Sequence, residues 1–532
     1  MRLTVGPRAG RHSADDRDPH VSATLLAGSA GIAAACGATL AALAGGLAWG
    51  RARGRAWVLG VLLCLPLTAL GLLVSAALGG IAPGSVVVRL VLSVLVFAAL
   101  GVAAGLALAR RTDSRDGLVR RGAVIGPPPQ GGPGAAASLS IAGVPVSPAD
   151  EVRHFKCIGT TGTGKSTAIR ELLDGALARG DRAVIADPDG SALARHYDPA
   201  RGDVILNPFD PRARRWDPFL ELRAPYDPEH LARSLVGDGR GGEQAWRAYA
   251  QGLVADLLRR LAGVPGDRLA ELHRLLVVAE PTELRVLLEG TGSAALVSEG
   301  NERMLASVRA VGAGATAALA HLAAQQAPTL SVRDWVERGS GVLFLPYRAD
   351  EIAALRSIVS TWLRTAIFQA MSQGEGDQRL WFVVDELDAL GAIDGLSDAL
   401  ARLRKYGGRV LLGFQSIAQV GGTYGEAAAR TIVENCASTL ILRCSASEGG
   451  GTARFAAQLV GEREVVRLQR SRSQGAGPLP GRRTTSVSEQ HAVEPALLAA
   501  EVERLPDLEG FLKLASRPDW MRVRLAIPSR GG

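Results

Sequence analysis

The run GTTGTGKS, from Gly159 to Ser166, combines glycine, hydroxyl and lysine side chains at a spacing that suits phosphate chemistry. Gly159, Gly164, Lys165 and Ser166 fit the pattern G-x-x-x-x-G-K-[ST]. Glycines allow the main chain to wrap closely round phosphate oxygens with its N–H groups pointing inward. Thr160, Thr161, Gly162 and Thr163 complete the wrap. Lys165 is placed to reach the β- and γ-phosphates and Ser166 to bind Mg²⁺. Thr167 continues into a helix whose positive N-terminal end faces the anion. The expected ligands are a nucleoside triphosphate and Mg²⁺.

Two further segments carry chemistry. Asp385 and Glu386 close the apolar run WFVVDE. An aspartate there can hold Mg²⁺ through water, and the glutamate can orient or deprotonate an attacking water. Gln415 ends RVLLGFQ, where an amide would face the same crevice and sense the γ-phosphate. Asp187, in ADPDGS, also ends an apolar run and reads equally as a helix cap or a site residue. Ring ATPases commonly take an arginine from the neighbouring subunit. Arg404 in RLRKYGG and Arg430 in AARTIVEN are the candidates, each with an ordinary surface arginine as the alternative.

These residues need strands that end together. The runs HFKCIG, RAVIAD, GVLFLPY, WFVVDE, RVLLGFQ and TLILRC are continuously apolar rather than alternating. Strands buried on both faces of a parallel sheet read this way. Helical stretches lie between them, so the expected fold class is α/β and doubly wound. Between Asp227 and Gln326 the pattern changes. Val254, Leu257, Leu258 and Leu261 keep a helical period, and Leu269, Leu272 and Leu276 continue it. Residues 227–326 are therefore expected to form an inserted all-α domain, flanked by nucleotide-binding segments 139–226 and 327–532. The basic, polar run from Gln469 to Thr485 reads as a solvated loop.

The N-terminal part has a different solvent. Trp57 to Leu78 and Leu90 to Ala109 carry no charge and are long enough to cross about 30 Å of hydrocarbon. They are expected to form a transmembrane hairpin over 57–109. Residues 21–50 are also uncharged, but their Ala and Gly contribute little transfer energy, so they are a further candidate span behind a tail at 1–20. Arg51 to Arg55 and the basic stretch after Arg110 place both flanks in the cytoplasm. A linker over 110–138 ends in the Pro- and Gly-rich run from Val124 to Ser138, which cannot continue a helix.

Composition excludes some classes and favours others. The chain has 532 residues, too many for one ordinary domain. Five cysteines form no CxxC pair, and eight histidines show no HExxH spacing. A zinc site, a disulfide framework and a zinc protease all lack support. The formal net charge of +8 and pI of about 9.6 favour an anionic partner, nucleic acid or lipid.

With these pieces in place, the chain resembles the TraD/TraG-type coupling proteins of conjugative type IV secretion. The resemblance runs from about residue 52 to 528. It rests on EVRHFKCIGTTGTGKST, RAVIADPDG, DVILNPFDPRARRWDPFLE, WFVVDELDAL, LRKYGGRVLLGFQS, RTIVENCASTLILR and EPALLAAEVERLPDLEGFLKLA, in the family order. It implies an inner-membrane homo-hexameric ATPase, multi-pass and in contact with membrane lipid. Its RecA-like P-loop motor, using ATP and Mg²⁺, would lie in the cytoplasm, with an all-α domain at its mouth. The implied partners are relaxase-bound single-stranded DNA and the type IV secretion channel proteins. Lys165 and Ser166 match the family's cradle, Asp385 and Glu386 its second motif and Gln415 its sensing glutamine. The arginine finger does not transfer cleanly to Arg404 or Arg430. The chain departs from the pattern in its extra apolar stretch before Gly50 and in lacking a long acidic C-terminal tail. Two alternatives stand beside this reading: a double-strand DNA translocase of the cell-division type, and a nucleotide-gated receptor or scaffold that never pumps.

Overall fold

Both faces of the central strands are apolar, and that decides the architecture. In the computed structural model, which describes residues 118–129, 139–239, 241–376, 378–473 and 484–526, ten strands form one sheet. They are β1 (Ile125–Gly126), β2 (Phe155–Ile158), β3 (Arg182–Pro188), β4 (Val204–Ile205), β5 (Val342–Tyr347), β6 (Leu380–Val384), β7 (Gly408–Phe414), β8 (Ser438–Ile441), β9 (Glu509–Lys513) and β10 (Trp520–Arg524). Their spatial order is β1-β10-β9-β8-β2-β7-β6-β3-β5-β4. The run from β8 to β4 is parallel throughout. β9 and β10 are added antiparallel beyond β8.

Successive residues serve opposite layers. Phe155, Cys157, Ile185, Trp381 and Val383 pack into one core with α1 (Lys165–Ala178). Ile158, Val184, Ala186, Phe382 and Val384 pack into the other. With both alternating faces covered, the sequence shows an unbroken apolar run, which is the signature of a doubly wound parallel sheet.

The second core continues into a helical region. α2 (Asp227–Val236), α3 (Gln244–Leu261), α4 (Arg268–Val277), α5 (Pro281–Leu287), α6 (Glu302–Ala315) and α7 (Ala318–Ala324) follow one another. No strand is present among the described residues from 227 to 324. Leu253, Val254, Leu257, Leu258 and Leu261 of α3 are buried, as are Leu269, Leu272 and Leu276 of α4. They share a core with α8 (Ile352–Ser372), which lies between β5 and β6 in the chain and covers this face of the sheet.

Chain contacts separate a smaller unit, which takes in the described residues 118–120, 464–473 and 484–492, from one that takes in the described residues of 121–463 and 493–526. Leu118–Gly122, Glu462–Ser473 and Thr484–Pro495 form a three-stranded sheet in that order. This corrects the loop expectation at the two ends of the run from Gln469 to Thr485: the described residues 469–473 and 484–485 are strand, and the rest of the run lies outside the described residues. Polarity alone misread it, because ladder hydrogen bonds satisfy the main chain whatever the side chains.

The expected tail and membrane segments, 1–20, 21–50, 57–78 and 90–109, lie outside the described residues. Among the described residues, no single helix is long and apolar enough to cross a membrane.

Candidate active site

Strand order brings the chemistry together. β7 lies between β2 and β6, so the segments leaving these three strands run side by side at their carboxyl ends. The loop after β2 carries the expected phosphate-binding run Gly159–Ser166, Asp385 and Glu386 follow β6, and Gln415 follows β7. One side chain then joins the outer two. Gln415 Nε2 donates to Glu386 Oε1 at 2.5 Å, and Gln415 Oε1 accepts from Thr161 Oγ1 at 2.8 Å. The middle strand therefore presents an amide that touches both the cradle and the acidic strand end.

The cradle is held from behind. Thr160 N and Oγ1 both donate to the carbonyl of Arg443, at 2.9 and 3.2 Å. Thr163 O accepts from Leu508 N at 2.9 Å. Gly164 sits at φ 114°, where a side chain is strained, and an added Cβ would also lie 2.8 Å from Leu525 Cδ1 and 2.9 Å from Leu508 Cδ2. At Gly159 a Cβ would meet Leu442 Cβ and Thr163 Oγ1, each at 2.9 Å. Glycine is required at both places because the fold closes on them. Among the described residues, the N–H groups of Gly162, Gly164, Lys165 and Ser166 have no acceptor. Free N–H groups at the start of a helix are suited to an anion. Lys165 is buried beside them.

Next to the cradle lie carboxylates under strain of charge. Ser166 Oγ donates to Asp385 Oδ2 at 2.7 Å. Asp385 Oδ1 is buried with no hydrogen-bond partner among the described residues. An orphaned carboxylate oxygen beside a hydroxyl fits a hydrated Mg²⁺, which takes one or two carboxylates and keeps several waters. No group of three or more His, Cys, Asp or Glu among the described residues could hold a metal. Ser166 and Asp385 are the residues that would hold such an ion, with phosphate and water supplying the rest. Burial, and then the charge of Asp388 with that of Asp385, holds the Glu386 carboxyl above its ordinary range, against the pull of Lys165 and Gln415. A carboxylate so placed is the better proton acceptor.

The other candidates fall elsewhere. Asp187 is buried and accepts from Ala192 N at 3.0 Å and Leu193 N at 2.7 Å, so it caps the short helix Ser191–His196. It also borders a small cavity with Ser166 and Asp385. Arg404 is exposed in the turn that precedes β7, at the end of the strand opposite Gln415. Its charge is felt by buried His154, at the start of β2. Arg430 is exposed on the helix Glu426–Asn435. Neither arginine joins the cluster within this chain.

Two residues beside the cluster were not found by motif. Asp388 is half-buried with Oδ1 unpartnered among the described residues. Tyr347, the last residue of β5, is 3% exposed and its hydroxyl is likewise without a partner. Tyr347 looks like one more apolar strand residue in GVLFLPY, and Asp388 looks like a loop acid. Only strand order gives them neighbours.

Comparison with known proteins places the chain. A family model for the type IV secretion-system coupling protein DNA-binding domain matches residues 138–526. The coupling protein TraD of Escherichia coli (strain K12) is 30% identical over 405 residues, 75% of this chain and 56% of that protein. The chain thus spans about half the length of this relative. The plasmid coupling protein TrwB, solved with the non-hydrolysable ATP analogue ADPNP, is 32% identical with a TM-score of 0.67, covering 77% of this chain and 95% of that one. TrwB solved with ADP and Mg²⁺ gives 32% identity and a TM-score of 0.65, covering 75% and 90%. The motif resemblance, the RecA-like α/β body and the all-α region agree with these matches. The family match takes in well over half of the residues, and the chain belongs to the type IV secretion-system coupling proteins.

Proposed function

We propose that this protein is the membrane-anchored, Mg²⁺- and ATP-dependent motor that couples a relaxase-bound single strand of DNA to a type IV secretion channel. The observation that carries the proposal is the continuous chain Thr161–Gln415–Glu386 beside Ser166–Asp385. Such a chain would suit a site that turns nucleotide over, and it supports the reading in a chain of the coupling-protein family. TrwB, similar in fold and sequence, has been solved with an ATP analogue and with ADP and Mg²⁺.

In this reading the free N–H groups of the cradle and Lys165 hold the β- and γ-phosphates. Ser166 and Asp385 hold Mg²⁺, which neutralises phosphate charge when bound. Glu386 accepts a proton from the attacking water. Gln415 touches both the cradle and Glu386, so loss of the γ-phosphate is felt at β7. An arginine from a neighbouring copy, Arg404 or Arg430, completes the site in a homo-hexameric ring. The apolar segments 57–78 and 90–109 fix that ring in the inner membrane, so that the strand moves and the motor does not. Grip on the strand is electrostatic and weakens with salt.

The test is ATP turnover with and without single-stranded DNA, with Lys165→Ala and Glu386→Gln as controls. Strong stimulation by single strands, abolished in both variants, is the expected result. Equal or better stimulation by duplex would instead favour a double-strand pump. Tight ATP binding without turnover under any DNA condition would overturn the motor reading and leave a gated receptor.

A further inference from the structure

One residue behind the cradle is out of place for its type. Leu508 adopts φ 65°, in the left-handed region. The turn that holds it, from Pro506 to Glu509, is closed by Glu509 N donating to Pro506 O at 3.2 Å. Leu508 stands third in that turn, where a positive φ is ordinarily met by Gly or Asn. A branched side chain is strained there, and such strain persists only where the surroundings fix it. Three contacts do so. Leu508 N donates to Thr163 O at 2.9 Å, and Leu508 O accepts from Leu525 N at 2.7 Å. The side chain closes on Gly164. No motif names Leu508; in ERLPDLEGF it reads as one more apolar residue.

The bond to Thr163 has a consequence for the cradle. Thr163 O and Gly164 N–H belong to one peptide unit. In a trans peptide the C=O and the N–H point opposite ways, and no described peptide bond is cis. Holding the carbonyl outward, on Leu508, therefore turns Gly164 N–H inward. That N–H has no acceptor among the described residues. The Thr163 hydroxyl is engaged elsewhere, donating to Thr160 O at 2.7 Å. The left-handed backbone is what lets Leu508 aim its N–H at Thr163 while its carbonyl meets Leu525.

We propose that Leu508 is a positioning residue for nucleotide binding. Its left-handed backbone, rather than its apolar side chain, sets the direction in which Gly164 N–H meets phosphate. Leu508 itself touches no phosphate. The inference rests on the nucleotide-binding reading given above.

The experiment compares four variants of the full chain with wild type. Leu508→Val keeps a branched apolar side chain but resists a positive φ. Leu508→Pro removes the N–H and fixes φ at about −65°. Leu508→Gly and Leu508→Asn give up apolar cover but accept the left-handed region. Affinity for ADP with Mg²⁺, ATP turnover with single-stranded DNA, and the thermal midpoint without nucleotide are measured on each. Leu508→Val and Leu508→Pro are expected to weaken ADP binding about tenfold, the worth of one hydrogen bond to a charged group. Their KM for ATP should rise by the same factor with kcat at saturating ATP little changed, because the contact is made in ground and transition states alike. Leu508→Gly and Leu508→Asn should keep the wild-type affinity, although the midpoint of Leu508→Asn falls as cover on Gly164 is lost. A merely structural, packing role gives the opposite order, with Leu508→Val best and Leu508→Gly and Leu508→Asn worst. That order, or wild-type affinity in both Leu508→Val and Leu508→Pro, would overturn this inference alone. A wild-type chain that binds no ADP would overturn the nucleotide-binding reading, and this inference with it.

Discussion

At the residue scale, the site depends on close approaches that admit no side chain. Gly413 lies in β7, and a Cβ there would fall 2.3 Å from the carbonyl oxygen of Asp385. The absent side chain lets the end of β6 bend across β7, where Leu387 N donates to Gly413 O at 2.9 Å. Gly413→Ala must push Asp385 away. A loss of about 2 kcal/mol in stability is expected from the overpacking, with weaker Mg²⁺-dependent nucleotide binding, both readable by denaturant titration with and without Mg²⁺ and ADP. The same cluster sets a pH dependence. Burial and neighbouring carboxylates raise the Glu386 carboxyl above its ordinary range, so the acid limb of wild-type turnover should lie above that range, read from a pH–rate profile. The sign for stability is the reverse. A raised carboxyl binds its proton more tightly in the folded chain, so its stabilising contribution is full below about 4.5 and is lost as pH rises through the folded value. Wild type should therefore gain on Glu386→Gln in stability as pH falls from 7 toward 4.5, measured by denaturant midpoints at each pH.

At the element scale, the segment after β6 ties the acidic strand end to the helices. Asp394 pairs with Arg364 of α8 at 3.2 Å, and Arg233 of α2 approaches the same carboxylate at 3.8 Å. Arg364 is 11% exposed and lies over the ring of Phe368 at 4.5 Å. Asp394→Ala leaves that guanidinium buried without its partner. Removing one member of a fully buried pair costs ~3–5 kcal/mol. Asp394 is 26% exposed, so about 2 kcal/mol is expected here, with Asp394→Asn intermediate, both by urea denaturation. Such links also mark what a sequence can and cannot carry. The loop between β2 and α1 was legible at once, because the spacing of Gly159, Gly164, Lys165 and Ser166 belongs to a turn that leaves a strand and opens a helix. The doubly wound sheet was legible too, since burial on both faces leaves apolar runs that need no partner to be recognised. The order of the strands was not legible. It is set by packing between distant segments, and it alone makes Gln415 the bridge between Thr161 and Glu386. The strand arms around Ser473 and Thr484 were misread for a related reason, since polar side chains say little about a main chain whose hydrogen bonds are met by a partner strand.

At the scale of the whole molecule, the sheet reaches back past the cradle into the segment that leads from the membrane-like N-terminal region. β1, Ile125–Gly126, pairs with Trp520 and Met521 of β10, and Trp520 N donates to Val124 O at 2.9 Å. β10 pairs in turn with β9, and β9 with β8. Leu508 and Leu525, which flank β9 and β10, are the side chains that close on Gly164. The Pro- and Gly-rich run was expected to be a linker, yet its first residues are the edge of the same sheet that backs the phosphate loop. A fragment starting at residue 138 therefore lacks an edge strand, and its Trp520, 6% exposed in the intact fold, loses part of its cover. A fragment starting at Leu118 keeps both. The shorter fragment should be less stable by about 2 kcal/mol, the burial of one large apolar side chain. Its affinity for ADP should fall as well, because the strands behind Gly164 are loosened. Thermal unfolding of the two fragments, with and without ADP and Mg²⁺, measures both effects. Equal midpoints and equal ligand-induced shifts would mean that the edge strand is carried by the sheet without supporting it.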